Sequence, residues 1–124
     1  MAKKKILIVD DEVSITKLLK FALERSERYE VHCETEGLKA LSAAQSFGPD
    51  IVLLDVNLPD AGGGEISAAF QEDPMLKSIP IIFLTGMVSQ EEVESGVTVG
   101  GRPALAKPID LEKLIESLEK ILPA

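Results

Sequence analysis

The hydrophobic residues of this chain form short uninterrupted runs separated by helical stripes. Residues 6–9 and 51–54 are entirely apolar, and each run ends on a carboxylate, Asp10 or Asp55. Short apolar runs bounded by turn signals are typical of strands that are buried on both faces. Because an unpaired buried carboxylate is very costly, we expect Asp55 at the carboxyl end of its strand rather than inside it.

The rest of the chain alternates between further strands and amphipathic helices. Strands are predicted over residues 29–33, 79–84 and 103–106. Helices are predicted where apolar residues recur at helical spacing. The first helix covers about 14–26, with Ile15, Leu18, Leu19, Ala22 and Leu23 inward and Phe21 off the stripe, and the second runs from Gly37 to the Gly48–Pro49 stop, with Leu38, Leu41 and Ala44 inward. The third carries Ile66, Ala69 and Phe70. A weak fourth helix with Val93 and Val97 begins with a capping box at 89–92 and ends before Gly100–Gly101, and Asp110 caps the last helix.

This alternation predicts a parallel sheet with helices on both sides. Right-handed crossovers place the carboxyl ends of all parallel strands on one rim, where open α/β sheets bind ligands. The polar residues at or just past these strand ends are Asp10, Asp11, Asp55, Thr85 and Lys107. We therefore expect them to meet at that rim.

Composition limits the classes of function. The 124 residues suit one compact domain, and a net charge of −8 argues against nucleic-acid binding as the main task. The single cysteine, Cys33, excludes an internal disulfide. No apolar run approaches the roughly 20 residues needed to span a bilayer, and no signal peptide is visible. We expect a cytoplasmic protein that acts away from membranes and nucleic acids.

The chemistry of the predicted rim indicates phosphoryl transfer. Three carboxylates, Asp10, Asp11 and Asp55, repel one another unless a cation joins them, and Mg²⁺ suits carboxylates and waters. Lys107 offers a positive charge and Thr85 a hydroxyl, both of which suit phosphoryl oxygens. A carboxylate nucleophile with these groups around it predicts transfer of a phosphoryl group to Asp55.

Along its whole length the chain resembles the receiver domain of bacterial two-component response regulators, of which CheY is a member. Several ordered motifs carry the resemblance, and the intervals between Asp55, Thr85 and Lys107 fit as well. The motifs are the strand and acidic pair of residues 6–12, Leu53-Leu54-Asp55 with Pro59, Gly63 and Glu65, Thr85-Gly86, and Lys107-Pro108.

The resemblance implies a flavodoxin-like (βα)5 fold, a doubly wound five-stranded parallel sheet of order 2-1-3-4-5, as one receiver domain over residues 1–124. It implies that a sensor histidine kinase or phosphotransfer protein phosphorylates Asp55. Mg²⁺ would be held by the side chains of Asp11 and Asp55 and the backbone carbonyl of Asn57, with Asp10 helping through water. Thr85 and Lys107 would contact the phosphoryl oxygens, and the bond before Pro108 would be cis.

The resemblance also implies a readout, and here the sequence departs from the family. Phosphorylation would draw Thr85 inward and shift the face made by the fourth helix, the fifth strand and the last helix, where a downstream effector protein binds. The family usually carries an aromatic residue three positions before the lysine, and Ala104 stands there. Arg102 and Pro103 replace an acidic pair. We therefore predict a smaller conformational shift than is usual.

Two other classes of function stay open. Ala104 favours an interaction module that no longer switches, whereas the complete acidic set and Lys107 oppose it. A small aspartate-nucleophile phosphohydrolase is disfavoured, because such enzymes need a second acid two residues after the nucleophile and Asn57 stands there. Within the receiver class, the chain could be a stand-alone relay, a phosphate sink, or a receiver cut from a longer regulator.

Overall fold

Strands and helices alternate along the chain, as the hydrophobic pattern predicts. The structure is a computed structural model, and it describes residues 3–86, 92, 98–99 and 101–122. The strands are β1 (Lys4–Val9), β2 (Tyr29–Glu34), β3 (Ile51–Asp55), β4 (Ile81–Thr85), β5 (Thr98–Val99) and β6 (Arg102–Ala106). The helices are α1 (Val13–Glu24), α2 (Ala40–Phe47) with a 3-10 turn before it (Gly37–Lys39), α3 (Gly63–Glu72) and α4 (Leu111–Ile121).

The strands form one six-stranded sheet in the order β2-β1-β3-β4-β6-β5. All neighbouring pairs are parallel except β5 and β6. With β6 as the predicted fifth strand, the predicted order 2-1-3-4-5 is confirmed. The order reverses between β1 and β3, so a crevice opens beside their carboxyl ends.

β5 is an element that the hydrophobic pattern does not predict. It pairs antiparallel with the first residues of β6, whereas the pattern predicts that this stretch is the end of the weak fourth helix. Gly101 adopts a φ of 79° at the turn between the two strands, a conformation that glycine reaches without strain. The predicted capping box at 89–92 and its helix lie outside the described residues, apart from Glu92, which is helical.

Alternate residues of the inner strands pack into cores on opposite faces of the sheet. On β1, Ile6 and Ile8 join the core beneath α1 and α4, and Leu7 and Val9 join the core beneath α2 and α3. All of these side chains are fully buried. Burial on both faces explains why the run has no polar interruption, and it confirms the prediction for this strand.

Two leucines predicted to face inward are exposed. Leu18 is 67% and Leu38 is 76% exposed. In α1 the buried stripe runs through Leu19 and Leu23, so the preceding Leu18 points away from the sheet. The chain enters α2 through a 3-10 turn, whose tighter winding turns Leu38 outward and leaves Ala40 as the first buried residue of the helix.

The helices are short and their ends are defined by local hydrogen bonds. Asp110 caps α4, since its carboxylate accepts the backbone N–H of Glu112 at 3.0 Å and of Lys113 at 3.4 Å. The predicted cap is thus confirmed.

In the part of the chain that the structure describes, no helix has the length and apolar character to cross a membrane.

Candidate functional site

The acidic residues at the strand ends meet at one rim of the sheet. Asp10 directly follows β1 and Asp55 ends β3, and these strands are parallel neighbours. One carboxylate oxygen from each of Asp10, Asp11 and Asp55 lies within 4.8 Å of one from each of the other two. The structure therefore brings together the three carboxylates that the sequence predicts to meet.

Lys107 connects this cluster to the far side of the rim. It follows β6, and its Nζ lies 2.8 Å from Asp10 Oδ2 and 3.3 Å from Asp55 Oδ2. Glu12 Oε1 lies 3.1 Å from the same ammonium group. Burial lowers the pKa of Lys107, but hydrogen bonds to Asp10 and Glu12 and the charges of Asp10 and Asp55 outweigh it and raise this pKa above its ordinary value. Lys107 is therefore a cation at neutral pH.

Glu12 is the residue of this cluster that sequence reasoning missed. It is the third acid of the run that begins at Asp10. The side chain is half exposed, whereas that of Lys107 is largely buried. The signal was present in the unbroken acidic run, but local sequence does not say which of several acids a distant lysine will contact.

Burial sets the electrostatics of the two inner carboxylates. Asp10 is 0% exposed; its Oδ1 accepts the backbone N–H of Glu12 at 3.0 Å. Burial, the largest effect, raises the pKa of Asp55, and the charge of Asp10 raises it further. The N–H of Asn57 and the ammonium group of Lys107 lower it, but the net pKa lies above the ordinary value. An anion at Asp55 is thus incompletely compensated by the protein.

The donor set at this rim fits a hard divalent cation. Asp10 Oδ2 is buried, and it pairs with Lys107 Nζ at 2.8 Å. The raised pKa of Asp55 and the close approach of three carboxylates both indicate that a second positive charge would stabilise the cluster. Carboxylate oxygens on a partly open rim are ligands that suit Mg²⁺.

Asn57 lies at the base of the loop that follows Asp55. Its backbone N–H donates to Asp55 Oδ1 at 3.1 Å. It also forms an isolated antiparallel bridge with Gly62, and the N–H of Gly63 donates to the carbonyl of Val56 at 3.0 Å. The β3–α3 loop, which we define as residues 56–62, is therefore closed at its base immediately beside Asp55.

Gly63 permits that closure because it has no side chain. A Cβ on this residue would lie 2.9 Å from Val56 Cα and 3.1 Å from the carbonyl oxygen of Asp55. Both are backbone atoms that follow or belong to the end of β3. The glycine thus lets α3 begin in direct contact with the strand that carries Asp55.

Thr85 and Lys107 are joined through the backbone. Thr85 ends β4, is 2% exposed, and accepts the backbone N–H of Lys107 at 2.9 Å through its carbonyl. The peptide bond between Lys107 and Pro108 is cis, as the resemblance implied. Thr85 therefore lies at the same rim as the acidic cluster, beside the segment that carries the lysine.

Comparisons with known proteins identify the family of the chain. A family model described as the response regulator receiver domain matches residues 6–119. The transcriptional regulatory protein TrcR of Mycobacterium tuberculosis is 35% identical over 118 residues, which are 95% of this chain and 45% of TrcR. The polar-differentiation response regulator DivK of Brucella ovis is 32% identical over 120 residues, which are 96% of each protein.

A solved structure shows the same fold. The chemotaxis protein CheY4 of Vibrio cholerae is 35% identical, superposes with a TM-score of 0.82, and is matched over 98% of this chain and 100% of its own. The chain spans less than half of TrcR but nearly all of DivK and CheY4. It belongs to the family of response regulator receiver domains of two-component systems.

Proposed function

We propose that Asp55 is the phosphoacceptor, and that a sensor histidine kinase or phosphotransfer protein supplies the phosphoryl group. The observation that carries this proposal is Lys107 Nζ, 3.3 Å from Asp55 Oδ2 within a cluster of carboxylates. An Asp55 oxygen would attack phosphorus, and the bond from phosphorus to the donor's histidine nitrogen would break. The product is an acyl phosphate on Asp55 and a free imidazole on the donor.

Asp11, Asp55 and the backbone carbonyl of Asn57 would hold Mg²⁺, with Asp10 contributing through water. The ion would neutralise charge on the oxygens of the transferring group, which is the largest contribution in most phosphoryl transfers. The support for this assignment is the convergence of three carboxylates and the raised pKa of Asp55.

Lys107 and Thr85 would bind the phosphoryl oxygens. The ammonium group is held near Asp55 by its ion pairs with Asp10 and Glu12, so little reorganisation is needed when a phosphate arrives. Its raised pKa keeps it charged. Thr85 is buried at the end of β4, so its hydroxyl would hydrogen-bond to the phosphoryl group rather than to solvent.

The phosphorylated state would be passed to a downstream effector protein through the face that includes β6 and α4. This readout is expected to be atypical, because Ala104 on β6 stands where the family usually has an aromatic ring. The chain is a phosphoacceptor module and not an enzyme with an external substrate. As proposed, it is a single receiver domain that works in the cytoplasm, with no direct nucleic-acid or membrane partner.

The second candidate is a receiver-like interaction module that does not switch. Ala104 favours it, since a methyl group cannot couple Thr85 to the surface as a rotating ring does. The two candidates make different predictions about covalent chemistry, because a module without switching has no need to take up phosphate.

Intact-mass spectrometry after incubation with acetyl phosphate and Mg²⁺ tests the proposal. One phosphate adduct is expected on the wild type, and none on Asp55→Asn. Asp50→Asn is the matched control, because Asp50 precedes the same strand at its opposite end, where it accepts the N–H of Lys5 at 2.7 Å; it should be phosphorylated like the wild type. Absence of an adduct on a folded wild type would reject the phosphoacceptor in favour of the non-switching module.

A further inference from the structure

An aspartate outside the acidic cluster ties the β3–α3 loop to a second loop of the rim. Asp60 Oδ1 accepts the backbone N–H of Gly37 at 3.0 Å, and its Oδ2 accepts that of Leu38 at 3.0 Å. These N–H groups belong to the 3-10 turn before α2. Both oxygens of one carboxylate are therefore used to join two segments that are distant in sequence.

The hydrogen bonds are charge-assisted. The N–H of Leu38 contributes most to holding the pKa of Asp60 below its usual value, burial opposes it, and the N–H of Gly37 lowers this pKa further. An ionised carboxylate accepting two backbone N–H groups is a stronger connection than a neutral pair. Asp60 is consequently an anion that is committed to the turn and is not a further member of the cation-binding cluster.

Close packing supports the same connection. A Cβ on Gly37 would lie 3.0 Å from Asp60 Oδ1 and 3.0 Å from Leu58 Cδ1. Leu58 is itself buried. The glycine thus allows the turn and the loop to approach so closely that the carboxylate can accept both N–H groups.

The position of Asp60 gives these contacts a consequence for the site. The bridge between Asn57 and Gly62 holds the base of the β3–α3 loop, and Asp60 holds its outer part. A loop held at both places has fewer conformations, so the direction of the Asn57 carbonyl is restricted. In the proposed function that carbonyl is a ligand of Mg²⁺, and outer contacts that orient a ligand commonly control metal affinity.

We infer that Asp60 is a positioning residue, which holds the β3–α3 loop against the 3-10 turn so that the Asn57 carbonyl is oriented for Mg²⁺. This inference rests on the proposed function for the role of Asn57. A purely structural role for Asp60 predicts something different, namely a loss of stability without a specific loss of cation affinity.

Asp73 provides the control for that distinction. It accepts Gln45 Nε2 at 2.8 Å and the N–H of Met75 at 2.8 Å, and so it ties the other end of α2 to the segment after α3. Asp60 and Asp73 are both anions in loops, and each accepts two hydrogen bonds. The donors to Asp60 lie in a distant turn, whereas Asp73 has one donor in α2 and one in its own turn. Asp73 follows the carboxyl end of α3, whereas the rim lies at the helix's amino end.

The experiment compares Asp60→Ala, Asp60→Asn and Asp73→Ala with the wild type. Titration calorimetry measures Mg²⁺ affinity without any phosphodonor, urea unfolding measures stability, and amide hydrogen exchange reports the N–H groups of Gly37 and Leu38. We expect Asp60→Ala to bind Mg²⁺ at least about tenfold more weakly, with faster exchange at both amides. Asp60→Asn, which keeps one acceptor oxygen, should fall between, and Asp73→Ala should bind Mg²⁺ like the wild type.

Kinetics with acetyl phosphate supply a second readout. The Mg²⁺ concentration for half-maximal phosphorylation should rise in Asp60→Ala, while the rate at saturating Mg²⁺ stays near that of the wild type. Unchanged Mg²⁺ affinity in Asp60→Ala, or equal weakening in Asp73→Ala, would overturn the inference. A wild type that binds Mg²⁺ but takes up no phosphate would reject the proposed function alone, and the calorimetric comparison would still decide the role of Asp60.

Discussion

Phe83 and Ala104 are register partners on β4 and β6. Both are buried in the core on the same face of the sheet. Thr85 lies two residues after Phe83, so it points to the same face. The large ring beside Thr85 therefore belongs to β4, the strand of Thr85 itself, and the facing position on β6 holds only a methyl group.

This arrangement predicts a weak conformational response to phosphorylation. A ring fixed in the core on the same strand as Thr85 cannot carry a movement of Thr85 to the surface of β6 and α4. Amide chemical shifts measured on adding a phosphoryl mimic with Mg²⁺ should change strongly around Asp55 and Thr85 and little elsewhere. Large changes across residues 89–122 would contradict this prediction.

Removal of Lys107 is expected to impair both phosphorylation and stability. Lys107→Ala should slow phosphorylation by acetyl phosphate roughly a hundredfold, the usual cost of losing one group that stabilises developing charge. It should also lower the free energy of unfolding by roughly 3 kcal/mol in the absence of Mg²⁺, because buried Asp10 and Asp55 lose their counter-charge.

Lys39→Ala is the matched control for Lys107→Ala. Lys39 forms an ion pair of 2.7 Å with Glu36, but both side chains are more than half exposed, so its loss should cost little. The two variants are compared by urea unfolding and by phosphorylation rate. Equal effects of the two substitutions would show that general charge, and not the position of Lys107, is what matters.

Two adjacent glycines should respond to alanine with opposite signs. In Gly63→Ala the new Cβ meets the backbone of Val56 at 2.9 Å, and we expect a loss of about 2 kcal/mol in unfolding free energy. Phosphorylation should also slow, since Asp55 precedes the displaced segment. In Gly64→Ala the Cβ has no neighbour within 4 Å, and a gain of about 0.5 kcal/mol is expected from helix propensity. Thermal or urea unfolding of the pair checks both signs.

The raised pKa of Asp55 predicts that ionisation of this residue lowers the free energy of unfolding, and that the effect depends on pH. This pKa is higher in the folded protein than in the unfolded chain, so the folded state binds the proton more readily. The resulting stability is fully present below the unfolded pKa of about 3.9 and is lost as pH rises through the folded pKa. Asp55→Asn, which cannot ionise, should therefore be more stable than the wild type at neutral pH without Mg²⁺.

The stability advantage of Asp55→Asn should shrink as the pH falls into the range in which Asp55 of the wild type becomes protonated. Added Mg²⁺ should also reduce or reverse it, because the ion stabilises the folded wild type by binding and the variant has lost a ligand. Urea unfolding across pH, with and without Mg²⁺, measures both effects. A wild type more stable than the variant at neutral pH without metal would contradict the prediction.

The hydrophobic pattern and the order of the elements are enough to predict the architecture and which residues lie at the rim. Apolar runs such as residues 6–9 and 51–54 are long enough to be strands and uninterrupted enough to be buried on both faces, as the structure confirms. Once five strands alternate with helices, the topology places the polar residues at their carboxyl ends together. Asp10, Asp55 and Lys107 could therefore be assigned to one rim without coordinates, because that conclusion needs only the period and order of the elements.

The contacts between individual side chains depend on the three-dimensional arrangement of the elements. The pairing of Glu12 with Lys107, the bond from Asp60 to the turn before α2, and the outward orientation of Leu38 all depend on how segments distant in sequence approach one another. The antiparallel β5 likewise requires its partner strand in place. Hydrophobic periodicity reports which face of an element is buried, but it holds no information about the geometry between elements, and hydrogen bonds and ion pairs are decided by that geometry.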